Sequence, residues 1–348
     1  MAWKRLFVDW NKRWMPLGQR GQEVMVIAKP MIPWVGGKGK LLPYIVQIIP
    51  PGANQHLEPF GGGGALLLSL PPVAGRLDIY NDYNRDLVNM FVCARDRPLA
   101  LIRELGFLPL NSRAEFEYLL QFMEQQDMAT AYLDEEIAIA KTEFPPDQAE
   151  KLIQIITGRA ELMNVRRAAA FFKISRYSYS GTMTSYGVRS CNLRHFFHLI
   201  WSASRRLENV VIECQDAIQL IRKRDKPGGV IYCDPPYFKA ERSYAVVFTY
   251  KDHSRLHRVL RKCEGNVIVS YNDCRYIRFL YDDFYILAFK RNNPLKKESG
   301  SLYGELLITN YDPRPYLTHQ FTLFGPNSAA KLELELVHIP RQAKEKSL

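Results

Sequence analysis

The sequence predicts an α/β protein, a doubly wound and mostly parallel sheet interrupted by an inserted, mostly helical domain. Three observations predict it. Short apolar runs, HLEPF, RLDIYND, NVVIEC, GVIYCDPPY and NVIVSYND, have the length and bounding turn residues of buried strands. Helical patterns separate them, and strands alternating with helices wind a right-handed sheet covered on both faces. The alternation stops between about Pro98 and Arg205, where the long helical patterns SRAEFEYLLQFMEQQ and PDQAEKLIQIITGRAELMNVRRAAAFF take over.

In chain order, residues 1–29 are basic and aromatic without periodicity and read as an N-terminal arm. From Pro33 a glycine-lysine loop leads into LLPYIVQII, which Pro50, Pro51 and Gly52 stop. Residues 30–98 and 205–348 then form the sheet-bearing domain, and 99–204 the insertion. The insertion ends on KISRYSYSGTMTSYGVRSCN, whose Gly181 and Gly187 among polar and aromatic residues suit a β-hairpin or loop. After the fifth strand, DDFYILAFKRN and GELLITNY make a closing antiparallel pair. The last dozen residues, ending IPRQAKEKSL, read as a solvated tail.

The 47 Lys and Arg against 36 Asp and Glu leave a net charge of +11, which points to a polyanionic partner, nucleic acid or anionic lipid. With no run of eighteen apolar residues and no secretory h-region, lipid is the weaker choice and a cytoplasmic protein is expected. The six cysteines form no CxxC pair, and His195 and His198 have no acid or thiol nearby in the sequence. Neither a disulfide framework nor a metal is therefore expected.

Asp234-Pro235-Pro236-Tyr237 directly follows the apolar run Gly229–Cys233. A carboxylate at the carboxyl end of a central strand lies where open α/β sheets bind ligands. Two prolines fix two φ angles and remove two donors, leaving carbonyls that can only accept. With the Asp234 carboxylate and the Pro235 carbonyl as acceptors, this turn suits an amino group. It can hold both N–H bonds and turn the nitrogen lone pair, otherwise delocalised into an aromatic ring, towards an electrophile. Asp234 is also placed to take the departing proton, and Tyr237 to stack on an extruded base. A stiff turn with a capping Asp is the plainer alternative.

Glu58, Pro59, Phe60, Gly61, Gly62, Gly63 and Gly64 end the first strand and open a helical run, and such glycines let backbone approach a ligand closely. Asp82, 21 residues beyond Gly61, ends the second strand, where a carboxylate commonly holds ribose hydroxyls. Asp216 follows the third strand. It either meets the adenine edge of a nucleoside cofactor or caps the helix it opens. Trp34, Gly37 and Lys38 set an aromatic and a cation round a turn without phosphate-loop spacing, so Lys38 better meets a carboxylate.

Taken in order, PWVGGKGKL, EPFGGGGA, IYNDYNRDL and YCDPPYF resemble the Dam family of DNA adenine methyltransferases, the alpha group of amino methyltransferases. IVSYND and GELLITNY are similar to that family's late segments, and the likeness covers about residues 30–98 and 190–312. The resemblance implies a Rossmann-like methyltransferase sheet whose target-recognition domain is inserted between the cofactor and catalytic motifs. It implies S-adenosylmethionine as cofactor, double-stranded DNA as partner, and direct methyl transfer to the exocyclic nitrogen of a flipped adenine without a metal. It also implies that Trp34, Gly37, Lys38, Glu58 and Pro59 line the cofactor pocket, that Phe60 to Gly64 wrap the methionine moiety, and that Asp82 binds the ribose. Asp216 would contact the cofactor's adenine, and Asp234 to Tyr237 would hold the target base. A bacterial, phage or prophage source follows from the same likeness.

Members that read GATC carry an FNVP-FG stretch where this chain has RYSYSGTMTSYGVRS, so the recognition sequence does not carry over. Lys173, Arg176, Tyr177, Tyr186 and Arg189 are expected to grip phosphates and to read or stack bases there. Two alternatives stand beside this reading. One is a nicotinamide-dependent oxidoreductase, prompted by the glycine loop and Asp82. The other is a catalytically silent DNA-binding protein of the same fold.

Overall fold

The computed structural model describes residues 28–34, 36–39, 41–106, 111–124, 133–188, 191–238, 248–292, 302–317 and 334–340. The strands β1 (Gln55–Glu58), β2 (Leu77–Asn81), β3 (Val210–Glu213), β4 (Gly229–Cys233) and β5 (Asn266–Asn272) fall on the apolar runs named above. All five are parallel. β6 (Tyr285–Asn292) and β7 (Leu302–Thr309) form the closing antiparallel pair, with β7 inserted beside β5. β8 (Glu335–His338) adds an edge strand to β6, so the solvated tail expected from residue 337 starts too early. Val337 packs against the core, and residues 341–348 lie outside the described residues.

The sheet runs β3-β2-β1-β4-β5-β7-β6-β8, so the chain winds outward in opposite directions from the β1/β4 boundary. Connections leaving that boundary on opposite faces open a crevice above the strands' carboxyl ends, which positions the site. Period-two alternation fills both faces. Ile231, Val267, Val269 and Tyr271 enter one core, and Val230, Tyr232 and Ile268 enter the other.

The helices are α1 (Leu42–Ile48), α2 (Ala65–Ser69), α3 (Arg85–Asp96), α4 (Pro98–Gly106), α5 (Arg113–Glu124), α6 (Leu133–Glu143), α7 (Pro146–Tyr177), α8 (Phe197–Leu207), α9 (Ala217–Arg224), α10 (Tyr250–Leu260), α11 (Arg275–Leu280) and α12 (Arg314–Leu317). Their ends follow capping rules. Asn84 accepts from the Asp86 and Leu87 amides to start α3, and Thr249 and Asp252 cap α10 reciprocally.

α7, 32 residues and about 48 Å long, carries the insertion. It does not build a separate core. Its small Ala168, Ala169 and Ala170, with Phe172, share one apolar cluster with Leu87 and Phe91 of α3. α8 runs straight through the expected boundary at residue 205 and docks on β2, where Arg206 meets Asp78 at 2.6 Å. Burial opposes ionisation of Asp78, but the Arg76 hydrogen bond and both guanidinium charges outweigh it and hold the carboxyl below its ordinary value. No helix among the described residues is long and apolar enough to cross a membrane.

Candidate active site

β1 ends at Glu58, and the glycine loop must turn at once into the five-residue α2. Gly62 and Gly64 take positive φ, 49° and 67°, which only glycine adopts without strain. Gly61 is needed for space, because a Cβ there would lie 2.2 Å from the Tyr80 ring. Tyr80 cannot yield. It stacks on Phe91 with ring centroids 4.3 Å apart, and its hydroxyl donates to the Gly62 carbonyl at 2.7 Å. Asn81 then ties three strand ends together, donating to the Pro59 and Gln215 carbonyls while accepting from the Gln215 amide.

Asp82 accepts from the Gly62 amide at 2.9 Å and from the Asn84 amide at 2.8 Å. Burial raises its pKa, and these amides work against that rise. The helix cap here belongs to Asn84, so capping does not explain Asp82. Each carboxylate oxygen can accept a further bond, which leaves capacity for ligand hydroxyls. Asp216 does cap its helix, accepting from the Gln219 amide at 2.9 Å, and it also lines the cavity described below. The capping alternative therefore holds, and the same carboxylate stands on the cavity wall.

Asp234 leaves the end of β4 into the reach of two donors on a single oxygen. Lys38 Nζ lies 2.6 Å from its Oδ1, and Ser270 Oγ donates to the same atom at 2.8 Å. Lys38 was expected to meet a ligand's carboxylate; here the carboxylate is the protein's own. The ammonium also donates to the Gly36 carbonyl at 2.7 Å and sits 4.7 Å from the centroid of the Tyr237 ring. The open stacking face expected of Tyr237 is therefore not present in this arrangement. Tyr237 is 6 % exposed, and its hydroxyl is hydrogen-bonded to buried Glu305 of β7. Burial first, then the Asp234 and Glu305 charges, push the phenol well above its ordinary range.

These groups open on one cavity of about 690 Å³ at the β1/β4 reversal. Trp34, Lys38 and Asp234 line it together with Phe60, Asp82 and Asp216. Its size suits a drug-sized or nucleoside-sized ligand. Gly37, Glu58, Pro59, Gly61, Gly62, Gly63 and Pro236 join the lining as well, whereas Gly64, Pro235 and Tyr237 lie behind it. Sequence reasoning missed Phe248 and Arg255 on the wall, and Ser270 and Glu305 beneath it. Glu305 did leave a signal, a lone acid in the apolar run ELLIT. Among the described residues no three His, Cys, Asp or Glu side chains converge on a metal-sized site.

The residues expected to grip DNA are placed differently from that expectation. α7 continues through Tyr177, so Lys173, Arg176 and Tyr177 are helical and turned inward. Lys173 pairs with Glu115 at 3.0 Å and is 8 % exposed. Arg176 lies 3.7 Å over the Phe196 ring and donates to the Met31 carbonyl, and burial draws its pKa down to about 10. Tyr177 is core, and Tyr186 packs on Phe116 while its hydroxyl reaches Asn111. Charge and aromaticity in sequence suggested a grip on DNA; in space Arg176 ties α7 to the Met31 carbonyl, while Lys173 and Tyr186 bind partners inside the insertion. Arg189 lies outside the described residues. Among the described residues the hairpin is a short turn, bridged at Ser178 and Tyr186, whose Gly181, Thr182 and Met183 line the cavity.

Sheet order, a glycine turn after β1 and a cavity at the strand-order reversal define a Rossmann-like α/β protein with a ligand site at the switch point. The chain belongs to the family of D12 class N6 adenine-specific DNA methyltransferases, whose sequence model matches residues 34–293. Among its relatives, the type II methyltransferase M1.LlaDCHI of Lactococcus lactis subsp. cremoris is 26% identical over 311 residues, 83% of this chain and 98% of that protein. The type II methyltransferase M.MjaIII of Methanocaldococcus jannaschii is 27% identical over 81% of this chain and 99% of its own length. A DNA adenine methylase of Vibrio cholerae is 24% identical over 78% and 91%. The chain is thus an adenine-specific DNA methyltransferase, and the nicotinamide oxidoreductase alternative falls.

Proposed function

We propose that this enzyme moves the methyl group of S-adenosylmethionine to the exocyclic N6 of an adenine extruded from duplex DNA. The observation that carries the proposal is the shared cavity, which joins Asp82 and the glycine loop to Asp234. Asp82, the Gly61–Gly63 backbone, Trp34 and Asp216 fit such a cofactor, offering acceptors for ribose hydroxyls, close backbone approach, an aromatic wall and a carboxylate for an adenine edge. When bound, the cofactor supplies a methyl group made electrophilic by its sulfonium.

The protein's task is to make a poor nucleophile available. Asp234, held by Lys38 and Ser270 on the cavity wall, accepts an N–H of the adenine amino group and turns the nitrogen lone pair towards the methyl group; Pro235, expected as the second acceptor, does not line the cavity. An ion-paired carboxylate is a weak base. It suffices, because the proton leaves only after the nitrogen has become a strongly acidic cation. Asp234 lies within a cavity, beyond the reach of a base stacked in a duplex, so extrusion is part of the reading. The net charge of +11 suits the DNA backbone.

Tritiated methyl transfer to duplex DNA, followed by single-molecule sequencing of the product, tests the proposal. Label on adenine in one sequence context is the expected result; no transfer, or label on cytosine, overturns it. Sequence reading then falls to the exposed turn at Tyr179 rather than to half-buried Arg176. Tyr179→Ala, at a side chain 62 % exposed, is expected to relax the methylated motif at one position, which the same sequencing reads. Asp82→Ala is expected to weaken S-adenosylmethionine binding by about tenfold while DNA affinity stays unchanged, the scale of one charged hydrogen bond. Calorimetry with cofactor alone measures it, and unchanged affinity would remove Asp82 from the site.

A further inference from the structure

The methyl-transfer reading leaves unexplained why a buried serine and a buried tyrosine stand behind Asp234. β4 and β5 pair Tyr232 with Ile268 and Cys233 with Val269, so Asp234 falls beside Ser270. By strand alternation Tyr232, Asp234 and Ser270 share one face, the face α1 covers and Lys38 enters. Ser270 is fully buried. Its hydroxyl carries one hydrogen, and that hydrogen goes to Asp234 Oδ1 at 2.8 Å. The 3.1 Å contact with the Tyr232 hydroxyl must therefore be donated by Tyr232. The result is a directed chain from Tyr232 to Ser270 to Asp234, joined at the same oxygen by Lys38.

We propose that Ser270 is a positioning residue for methyl transfer: with Lys38 it fixes Asp234 Oδ1, keeps the carboxylate ionised, and turns its remaining acceptor capacity towards the target amino group. This rests on the reading above. Two donors on one oxygen favour the charged form and define the plane of the carboxylate. The charged and titratable groups near it include Lys38 before α1, Tyr232 on β4 and Tyr237 in the turn, with Glu58 on β1 acting on Tyr232 and Glu305 on β7 acting on both tyrosines. Lys38 is the one cation among these groups. Glu58 and Glu305 favour the neutral acid, so the Ser270 donor adds to Lys38 in resisting protonation.

The test is the pH profile of single-turnover methyl transfer under saturating S-adenosylmethionine, for wild type, Ser270→Ala, Ser270→Thr and Tyr232→Phe. Ser270→Ala is expected to lower the rate by about tenfold, the scale of one hydrogen bond to a charged group. Its acid limb is expected to move up by about one pH unit, because losing a donor to the carboxylate eases its protonation. Ser270→Thr keeps the hydroxyl and restores both. Tyr232→Phe leaves the serine donor in place and moves the limb in the same direction by less, which keeps the test alive should Ser270→Ala fold poorly. A slower variant whose acid limb stays with wild type, or a wild-type rate in Ser270→Ala, overturns the proposal. A wild-type protein that transfers no methyl group fails the underlying reading instead.

Discussion

Asp234→Ala is expected to lower the single-turnover rate by at least about a hundredfold while cofactor and DNA binding stay close to wild type. In the proposed reaction Asp234 touches the reacting amino group, so its loss is felt in the chemical step. Affinity for either ligand alone depends on other residues. One complication follows from the geometry. Removing Asp234 leaves the Lys38 ammonium, 5 % exposed, with the Gly36 carbonyl and the face of the Tyr237 ring but no counter-charge in contact. Breaking one member of a largely buried ion pair costs about 3–5 kcal/mol of stability. Thermal unfolding separates the two effects, and the Lys38→Met/Asp234→Ala double variant should recover part of the stability but none of the rate. Activity within a few-fold of wild type in Asp234→Ala would sink the assigned chemistry.

The strands and the glycine turn could be read from the chain because their information is local. A strand buried on both faces is a short apolar run, and Gly61 to Gly64, Asp82 and Asp234 each sit at the end of one. What joins Ser270 to Asp234 is the register of β4 against β5, 36 residues apart, and no local pattern states it. The insertion misled for a related reason. Lys173 and Arg176 look like surface cations until Glu115, 58 residues away, and the Met31 carbonyl, 145 residues away, are brought to them. Burial of a charged side chain is decided by its partner, and the partner is tertiary. β8, four residues at a sheet edge, is too short to show a period at all.

Gly61→Ala should abolish cofactor binding and destabilise the fold, whereas Gly158→Ala should stabilise it, though both add the same methyl group. At Gly61 the new Cβ meets Tyr80 ring carbons at 2.2 and 2.6 Å and the Asn81 carbonyl at 2.9 Å. The ring is pinned by Phe91 on one side and by the Gly62 carbonyl at its hydroxyl, and the Gly61 amide is itself bonded to the Asn81 carbonyl at 2.7 Å. Relief must come from the backbone of the loop. Overpacking of this kind costs about 1–3 kcal/mol or more, and a shift of the loop moves the Gly62 amide off Asp82. Stability and the cofactor seat are lost by one displacement. Gly158 lies exposed within α7 with nothing within 4 Å of its added Cβ, so alanine there gains about 0.5–1 kcal/mol from helix propensity and reduced unfolded-state freedom. Denaturant unfolding of both variants, with S-adenosylmethionine titration by calorimetry, measures the pair. Tyr80→Leu in the Gly61→Ala background should open space and recover stability in part, but without the hydroxyl that holds Gly62 it should not recover binding. If Gly61→Ala binds cofactor as wild type does, the close packing of the loop against Tyr80 is not what shapes the seat.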